Sequence, residues 1–457
     1  MLDASVIIPT HNRDVILKLV LSALAKQSYP CDRFEVLVVD DGSTDHTEEI
    51  VGEFKDTLNL HYLRFDKSTH RLSRVRNCGI ERSQGEILFF LDSDMIVCSH
   101  YVEEHLRTHR ESDDLMLIIG YVYGYRYGYS SEGTLPIDHL DLENVSKSIE
   151  QLRADRTLWD PREIAYRRVA DDLSRFSAPW RFVWGNSISV PRKHVLEVGM
   201  FDEDFHYTGG EDTEFAYRCF KNGLHVVLNR RAWGVHYPHP IDVEARKQSS
   251  QRNILWFYQK HRNPEIELYS VTQRHTYNRF LAQLRALQGQ VLVPSYSSPR
   301  YRQTWDFLGS LSPGRTLLVG GGGVDLIRKV WPSVVTELDQ DRVERERNTF
   351  PDVDFKWAIG LRLSYTDGYF DRVILSDFWR ALSRICVAKL LREMVRVGKD
   401  ILTLCVPEFK PSLPEGCPWH SPAVLQRTCR RVGLSCAPVP GVPSVYRISV
   451  HSSLSEG

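Results

Sequence analysis

Asp92 and Asp94 are two carboxylates one residue apart in Leu91-Asp92-Ser93-Asp94-Met95, and they directly follow the apolar run Ile87–Leu91. A run of that length and composition reads as a buried parallel strand, so both acids fall at its carboxyl end, where open α/β sheets bind ligands. A carboxylate pair facing such a crevice suits a hard divalent cation, Mg²⁺ or Mn²⁺. Such an ion takes one or two protein carboxylates and fills its other positions with phosphate oxygens and water. The same residues also suit a turn that ends the strand and caps the next helix. A second acid pair, Glu211-Asp212, follows Gly209-Gly210 and precedes a stripe of Phe215, Ala216, Cys219 and Phe220 that Gly223 stops. This spacing predicts a helix with both acids in its first turn, where the helix dipole favours anions. A carboxylate kept charged there accepts a proton from an incoming nucleophile; simple capping is its other use.

The surrounding sequence supplies the elements that must hold these groups. Ser5–Thr10 is a short strand stopped by Pro9, and Ile16, Leu17, Val20, Leu21 and Leu24 form one stripe of the helix after it. Phe34–Val39 is a second strand ending in Asp40-Asp41-Gly42-Ser43, and His61–Phe65 is a weak third. The basic turn and helix from Arg71 to Arg82 then lead into Ile87–Leu91. Strands alternating with helices predict a parallel sheet with right-handed crossovers. Leu115 to Tyr123 predicts a further buried strand. Tyr121, Tyr123, Tyr125, Tyr127 and Tyr129 alternate through it and beyond, lining a groove or forming the exposed side of an edge strand. Val226–Leu228 is the next short strand. From Val243 to Arg302 the pattern is polar and helical, and Pro294–Pro299 reads as a linker.

With 457 residues the chain holds two or three domains. An apolar content of 42%, a charged content of 26% and a net charge of −1 describe an ordinary soluble protein and exclude a general nucleic-acid binder, which carries a basic excess. No apolar run reaches the roughly 18 residues of a membrane span. Met1-Leu2-Asp3-Ala4-Ser5 lacks the basic start of a signal peptide, so the expected location is cytoplasmic. Nine cysteines without a C-x-x-C pair fit reduced thiols rather than a disulfide framework or a zinc site.

Taken together, Ser-Val-Ile-Ile-Pro-Thr-His-Asn-Arg, Val-Val-Asp-Asp-Gly-Ser-Thr-Asp, Arg76-Asn77-Cys78-Gly79 and Leu-Asp-Ser-Asp resemble, in order and spacing, the nucleotide-binding half of family 2 glycosyltransferases of the GT-A fold. Phe182–Pro191, Val198–Phe205 and Gly209–Glu214 resemble the acceptor-side segment of the same enzymes. The likeness runs over roughly residues 3 to 240. It implies that Pro9, Thr10, Asp40, Asp41, Arg76 and Asp92 hold the nucleotide-sugar, that Asp94 binds Mn²⁺ or Mg²⁺, and that Asp212, with Glu211 beside it, is the catalytic carboxylate. His236 is the further metal ligand implied, with His239 in reserve. Residues 139 to 176 read as an insertion over the acceptor side. The expected reaction moves a sugar, with inversion, from a UDP-sugar to the hydroxyl or thiol of a saccharide, peptide or small molecule. A non-catalytic nucleotide-sugar-binding scaffold is the competing reading, and Asp212, which a binding module does not need, argues against it.

A second α/β unit follows: Thr316–Val319, then Gly320-Gly321-Gly322-Gly323, Val334–Asp339, Tyr369–Ser376, the segment Leu391–Gly398 and the strand Ile401–Leu404. This order looks like a class I S-adenosylmethionine methyltransferase, which implies that Gly320, Gly322 and Asp339 grip the cofactor. Leu318 stands where that family has an acid, and Val324 where it has its last glycine. The alternatives are a bifunctional glycosyltransferase–methyltransferase and a degenerate Rossmann-like domain. The fold expected is therefore α/β: a GT-A domain over 1–242 (halves 1–110 and 111–242), a helical linker over 243–305, and a methyltransferase-like domain over 306–457.

Overall fold

A computed structural model of the chain describes residues 2–67, 71–125, 137, 139–206, 209–239, 242–272 and 274–450. The chain divides into two compact units, Met1–Phe257 and Tyr258–Gly457. The division falls inside the helix Val243–Lys260 rather than at the boundaries expected near 242 and 305.

In the first unit the strands are β1 (Ala4–Thr10), β2 (Phe34–Asp40), β3 (Leu60–Arg64), β4 (Ile87–Leu91), β5 (Met95–Val97), β6 (Met116–Tyr123), β7 (Ser187–Pro191) and β8 (His225–His236), in the spatial order β3-β2-β1-β4-β7-β6-β8-β5. β1 to β4 are parallel, as the alternation of strands and helices predicts. Beyond β4 the sheet is mixed, since β7 runs antiparallel to both β4 and β6. Every residue of β1, β2 and β4 is buried, which is why those strands read as unbroken apolar runs. The strand does not stop at Pro9; it runs on to Thr10. Pro9 lies past the last residue of β1 paired with β4, where a missing N–H is tolerated. The crossover helix Asp14–Ala25 buries Leu17, Val20, Leu21 and Leu24 as its period requires.

Two departures from the sequence expectation shape the site. β6 is an interior strand with Tyr121 and Tyr123 buried, so these tyrosines are core rather than groove lining or an edge face; Tyr127 and Tyr129 lie outside the described residues. β8 does not end at Leu228 but continues to His236. It does so through a register shift near Asn229, whose Oδ1 accepts the amides of Arg231 at 2.8 Å and Ala232 at 3.2 Å.

The second unit holds β9 (Thr316–Val319), β10 (Val334–Glu337), β11 (Asp354–Trp357), β12 (Phe370–Leu375), β13 (Gly398–Leu404), β14 (Leu434–Val439) and β15 (Val442–Val450), in the order β11-β10-β9-β12-β13-β15-β14. The first five are parallel, and β15 pairs antiparallel with β13 and with β14. The Pro-Ser stretch expected to be a linker is packed: Tyr296 is buried in this unit's core, and its hydroxyl donates to Asp377 Oδ2 at 2.8 Å. Turn-forming composition marked the bend but not the buried tyrosine that anchors it. Glu267, on the helix Pro264–Val271, is also buried and accepts the amides of Ile359, Gly360 and Arg362 at 2.6, 2.9 and 3.0 Å.

Burial pushes the Glu267 carboxyl up to about 7, against the pull of those amides. Because its folded value lies above the ordinary 4.5, its contribution to stability is whole below pH 4.5 and is lost as pH rises to about 7. Glu267→Gln should flatten that slope in urea midpoints taken from pH 4.5 to 8. It should also cost about 1–3 kcal/mol at pH 5, since an amide N–H₂ then faces backbone N–H groups. A wild-type midpoint that stays level across the range counts against the assignment.

Candidate active site

The site forms at the carboxyl end of β4, where the neighbouring β7 begins. Leu91 pairs with Ser187, which sets Gly185 and Asn186 beside the acids, and the Asp92 amide donates to Asn186 O at 3.2 Å. Asp94 then meets the end of β8, because β5 pairs antiparallel with it and puts Met95 opposite His236. The result is a compact group of Asp94, His236 and His239 whose ligand atoms lie within 4.8 Å of one another. His236 Nε2 is 3.7 Å from Asp94 Oδ1, and His239 Nε2 is 3.3 Å from Asp94 Oδ2. Burial alone would raise the Asp94 carboxyl, but His236 and His239 hold it below the ordinary range; burial lowers His236. A charged carboxylate beside a neutral imidazole is the protonation state in which both ligate a cation. Asp94 Oδ1 and His236 Nδ1 are buried and make no hydrogen bond among the described residues, so the donor set fits a divalent ion. His239, held in reserve from the sequence, joins His236 here.

On the other side of the D-x-D stands Arg76, fully buried on the helix Leu72–Arg82. Its Nη1 donates to Glu211 Oε1 and its Nη2 to Asp92 Oδ1, each at 3.0 Å, and Nη2 also reaches Gly185 O at 3.3 Å. A β-carbon on Gly185 would sit 2.7 Å from that guanidinium, so only glycine fits there. Burial opposes the charge on Arg76, yet Asp92, Glu211 and Asp212 hold its pKa above the usual arginine value. Both Nη atoms of Arg76, expected from the sequence near the nucleotide, bond carboxylates that join the D-x-D to the Gly-Glu-Asp helix.

That helix runs Glu211–Lys221 with both acids in its first turn, as expected. The two acids differ. Glu211 is buried, with Oε1 on Arg76 and Oε2 accepting the Gly209 amide at 2.9 Å, and burial, with the Asp212 charge next, raises its carboxyl. Asp212 is half-exposed, and its oxygens accept the amides of Gly185 at 3.0 Å and Thr213 at 2.7 Å. Of the pair, Asp212 is the one that an outside molecule reaches.

The remaining candidates divide. Asp40 is spent on its own loop, accepting the Ser43 amide at 2.8 Å, the Ser43 hydroxyl at 2.6 Å and the Tyr62 hydroxyl at 2.5 Å. Asp41 is buried beside it, and its amide donates to Thr10 O at 2.9 Å. Pro9 and Thr10 are buried at the end of β1, and Thr10 Oγ1 has no partner. Asn186 was not singled out from the sequence. Its side-chain nitrogen and oxygen are both buried without a hydrogen bond among the described residues, next to Asp92 and Gly185. The signal was a Gly-Asn ahead of a strand. Tyr125 packs 4.6 Å from the His236 ring and 4.9 Å from Trp184, giving the metal-type cluster an aromatic wall.

In the second unit the glycine loop turns inward. A β-carbon on Gly320 would meet the Phe378 ring at 2.2 Å, on Gly321 the Glu337 carboxylate at 2.2 Å, and on Gly322 Leu326 at 2.3 Å. Asp339 caps the helix Gln340–Thr349 and accepts the Gly289 amide at 2.9 Å. The acid that ends β10 is Glu337, buried and two residues before Asp339. With Leu318 in place of an acid and Asp339 used as a helix cap, the residues expected to grip S-adenosylmethionine do not come together as a set.

A crevice of acids and histidines at the strand ends of a nucleotide-binding type of α/β sheet defines an enzyme that handles an activated, phosphate-bearing donor. The family described as glycosyl transferase family 2 matches residues 5–158. Validoxylamine A glucosyltransferase of Streptomyces hygroscopicus subsp. limoneus is 30% identical over 391 residues, covering 82% of this chain and 84% of that protein. Chondroitin synthase of Escherichia coli is 30% identical over 273 residues, covering 56% of this chain and 39% of that one. Among solved structures, S. aureus TarS 1-349 in complex with UDP aligns over 68% of this chain and 79% of that one, at 17% identity and a TM-score of 0.40. The chain belongs to glycosyltransferase family 2, and it is a glycosyltransferase.

Arg76→Leu should destabilise the protein by about 3–5 kcal/mol, the usual scale for stranding the partners of a buried ion pair. Adding Glu211→Gln should recover part of that loss in urea titrations. Strict additivity of the two substitutions would show that the bridge is not a unit.

Proposed function

We propose that the chain transfers a hexosyl group from a UDP-sugar to an acceptor hydroxyl with inversion, and that Asp94, His236 and His239 hold Mn²⁺ or Mg²⁺. The observation that carries this reading is one continuous set of side chains, from the Asp94–histidine cluster through Asp92, Arg76 and Glu211 to the half-exposed Asp212. When bound, the cation supplies neutralising charge to the diphosphate leaving group. Asp92, pinned by Arg76, is held to accept from ribose hydroxyls. Thr10 Oγ1 and the Asn186 amide, buried without partners, are groups that a donor's polar atoms would satisfy.

Asp212 accepts the acceptor's hydroxyl proton as the acceptor oxygen bonds to the anomeric carbon; the carbon–phosphate-oxygen bond breaks, and its electron pair leaves with the nucleoside diphosphate. The amides of Gly185 and Thr213 fix the carboxylate for that transfer. Glu211 stays behind it as an anchor on Arg76. A thiol acceptor would be handled in the same way.

The second unit we read as a Rossmann-like module of the methyltransferase type without methyl transfer. Its strand order, with a reversed hairpin at one edge, supports the type, and the use of Asp339 as a helix cap, with Leu318 in place of an acid, argues against the cofactor. The likeness to the glucosyltransferase spans 391 residues, more than the first unit contains, which favours a module shared among glycosyltransferases.

Purified chain with a panel of nucleotide-sugars and Mn²⁺ should release nucleoside diphosphate, most from a UDP-hexose, and excess EDTA should stop it. Asp212→Asn should keep donor affinity within a few-fold while transfer falls at least about a hundredfold. Mn²⁺ alone should raise the melting temperature of the wild type but not of His236→Ala or Asp94→Ala. Full turnover in EDTA removes the metal from the reading, and an unchanged Asp212→Asn rate moves the base elsewhere.

A further inference from the structure

The second unit carries a groove that the proposed chemistry does not use. It lies between the helices Arg384–Val397 and Pro422–Arg431, has a volume of about 330 Å³, and is walled by Arg384, Lys389, Arg392, Arg427 and Arg431. None of the five meets a carboxylate among the described residues, and the one acid on the first helix, Glu393, is taken by Arg396 at 2.7 Å. The second helix, Pro-Ala-Val-Leu-Gln-Arg-Thr-Cys-Arg-Arg, has no acid at all. In a chain whose net charge is −1, five uncompensated cations around one groove are a local excess that a solvated face does not require.

Apolar surface lies between the cations. Ala388, Val424 and Val432 line the groove, and Ile385 at its rim is 46% exposed. The charges are spaced for a helical partner: Lys389 and Arg392 are three apart, and Arg427 and Arg431 four apart, so each pair forms a row on its helix face. The ten residues of the second helix make a groove about 15 Å long, enough for about three turns of a docked helix.

We propose that this groove docks an acidic amphipathic helix of a partner protein, with its apolar stripe on Ile385, Ala388 and Val432 and its carboxylates on the flanking arginines. Charge complementarity selects an anion, and the apolar floor selects among anions. Inorganic polyphosphate has nothing to cover Ile385 and Val432, and a flat bilayer meets only Ile385 at the rim of a recess whose other apolar residues lie between its walls. A nucleic acid strand would look for stacking aromatics, and the groove residues include none.

The test uses the full chain and a labelled amphipathic peptide of about four helical turns, glutamate on one face and leucine at i, i+3, i+4 and i+7, followed by fluorescence anisotropy. A scrambled peptide of the same composition, inorganic polyphosphate, and vesicles of phosphatidylglycerol in phosphatidylcholine are the other probes. The amphipathic peptide should bind at least about tenfold more tightly than the scrambled one. Its affinity should fall about tenfold or more in Arg427→Glu/Arg431→Glu and fall also in Ile385→Ser, with nucleotide-sugar turnover unchanged. Should charge reversal lower the melting temperature, Arg427→Gln/Arg431→Gln gives the same comparison. The proposal is overturned if the peptide does not bind, if the scrambled peptide binds equally well, if polyphosphate or vesicles bind more tightly, or if the substitutions leave peptide affinity unchanged.

Discussion

A single guanidinium, that of Arg76, ties the two halves of the first unit's site together. The D-x-D belongs to the parallel half of the sheet, and the Gly-Glu-Asp helix belongs to the segment that follows β7. Asp92 and Glu211 are 119 positions apart in the chain, but each lies 3.0 Å from Arg76. Two carboxylates and a guanidinium out of water are costly to desolvate, and such a group persists only when all of its members are present in the right geometry. Gly185 is part of that geometry, because its carbonyl takes a share of Arg76 and its lack of a side chain leaves room for it.

The acids divide their labour through burial. Glu211 is enclosed and faces Arg76, so its charge is used for architecture. Asp212, one residue on, is half-exposed and held by two backbone amides, which orient it without enclosing it. Asp92 and Asp94 divide in the same way: Asp92 is turned to the arginine and Asp94 to the histidines. Glu211 and Asp212 part because successive side chains at a helix start point in different directions, and Asp92 and Asp94 part because the chain turns between β4 and β5.

Much of this was legible in the sequence. The strands β1, β2 and β4 announced themselves as apolar runs because parallel strands are buried on both faces. The helix at Glu211 announced itself by a glycine start, an apolar stripe and a glycine stop. Less legible were the features that depend on a partner. The bulge at Asn229 extends β8 to His236, yet nothing in the local sequence distinguishes it from a strand end. The buried place of Tyr121 and Tyr123 follows from β6 lying inside the sheet, which alternation alone does not reveal. In the second unit, Asp339 was singled out by its position in a motif, whereas its carboxylate caps a helix and the acid that ends β10 is Glu337.

The sequence by itself determined the family and the α/β class of fold and singled out the acid pairs at Asp92, Asp94, Glu211 and Asp212, because these rest on local patterns: strand period, helix caps and motifs of adjacent residues. Only the tertiary structure decided which acids stand together and which are spent elsewhere. It brought His236 and His239 to Asp94 through the pairing of β5 with β8, set Arg76 as a bridge between carboxylates, and put Asp339 of the second unit at a helix cap. The physical reason is the same in each case. A side chain's identity fixes what it could bond, but its burial and its neighbours across the sheet fix what it does bond, and those neighbours lie tens to more than a hundred residues away in the chain.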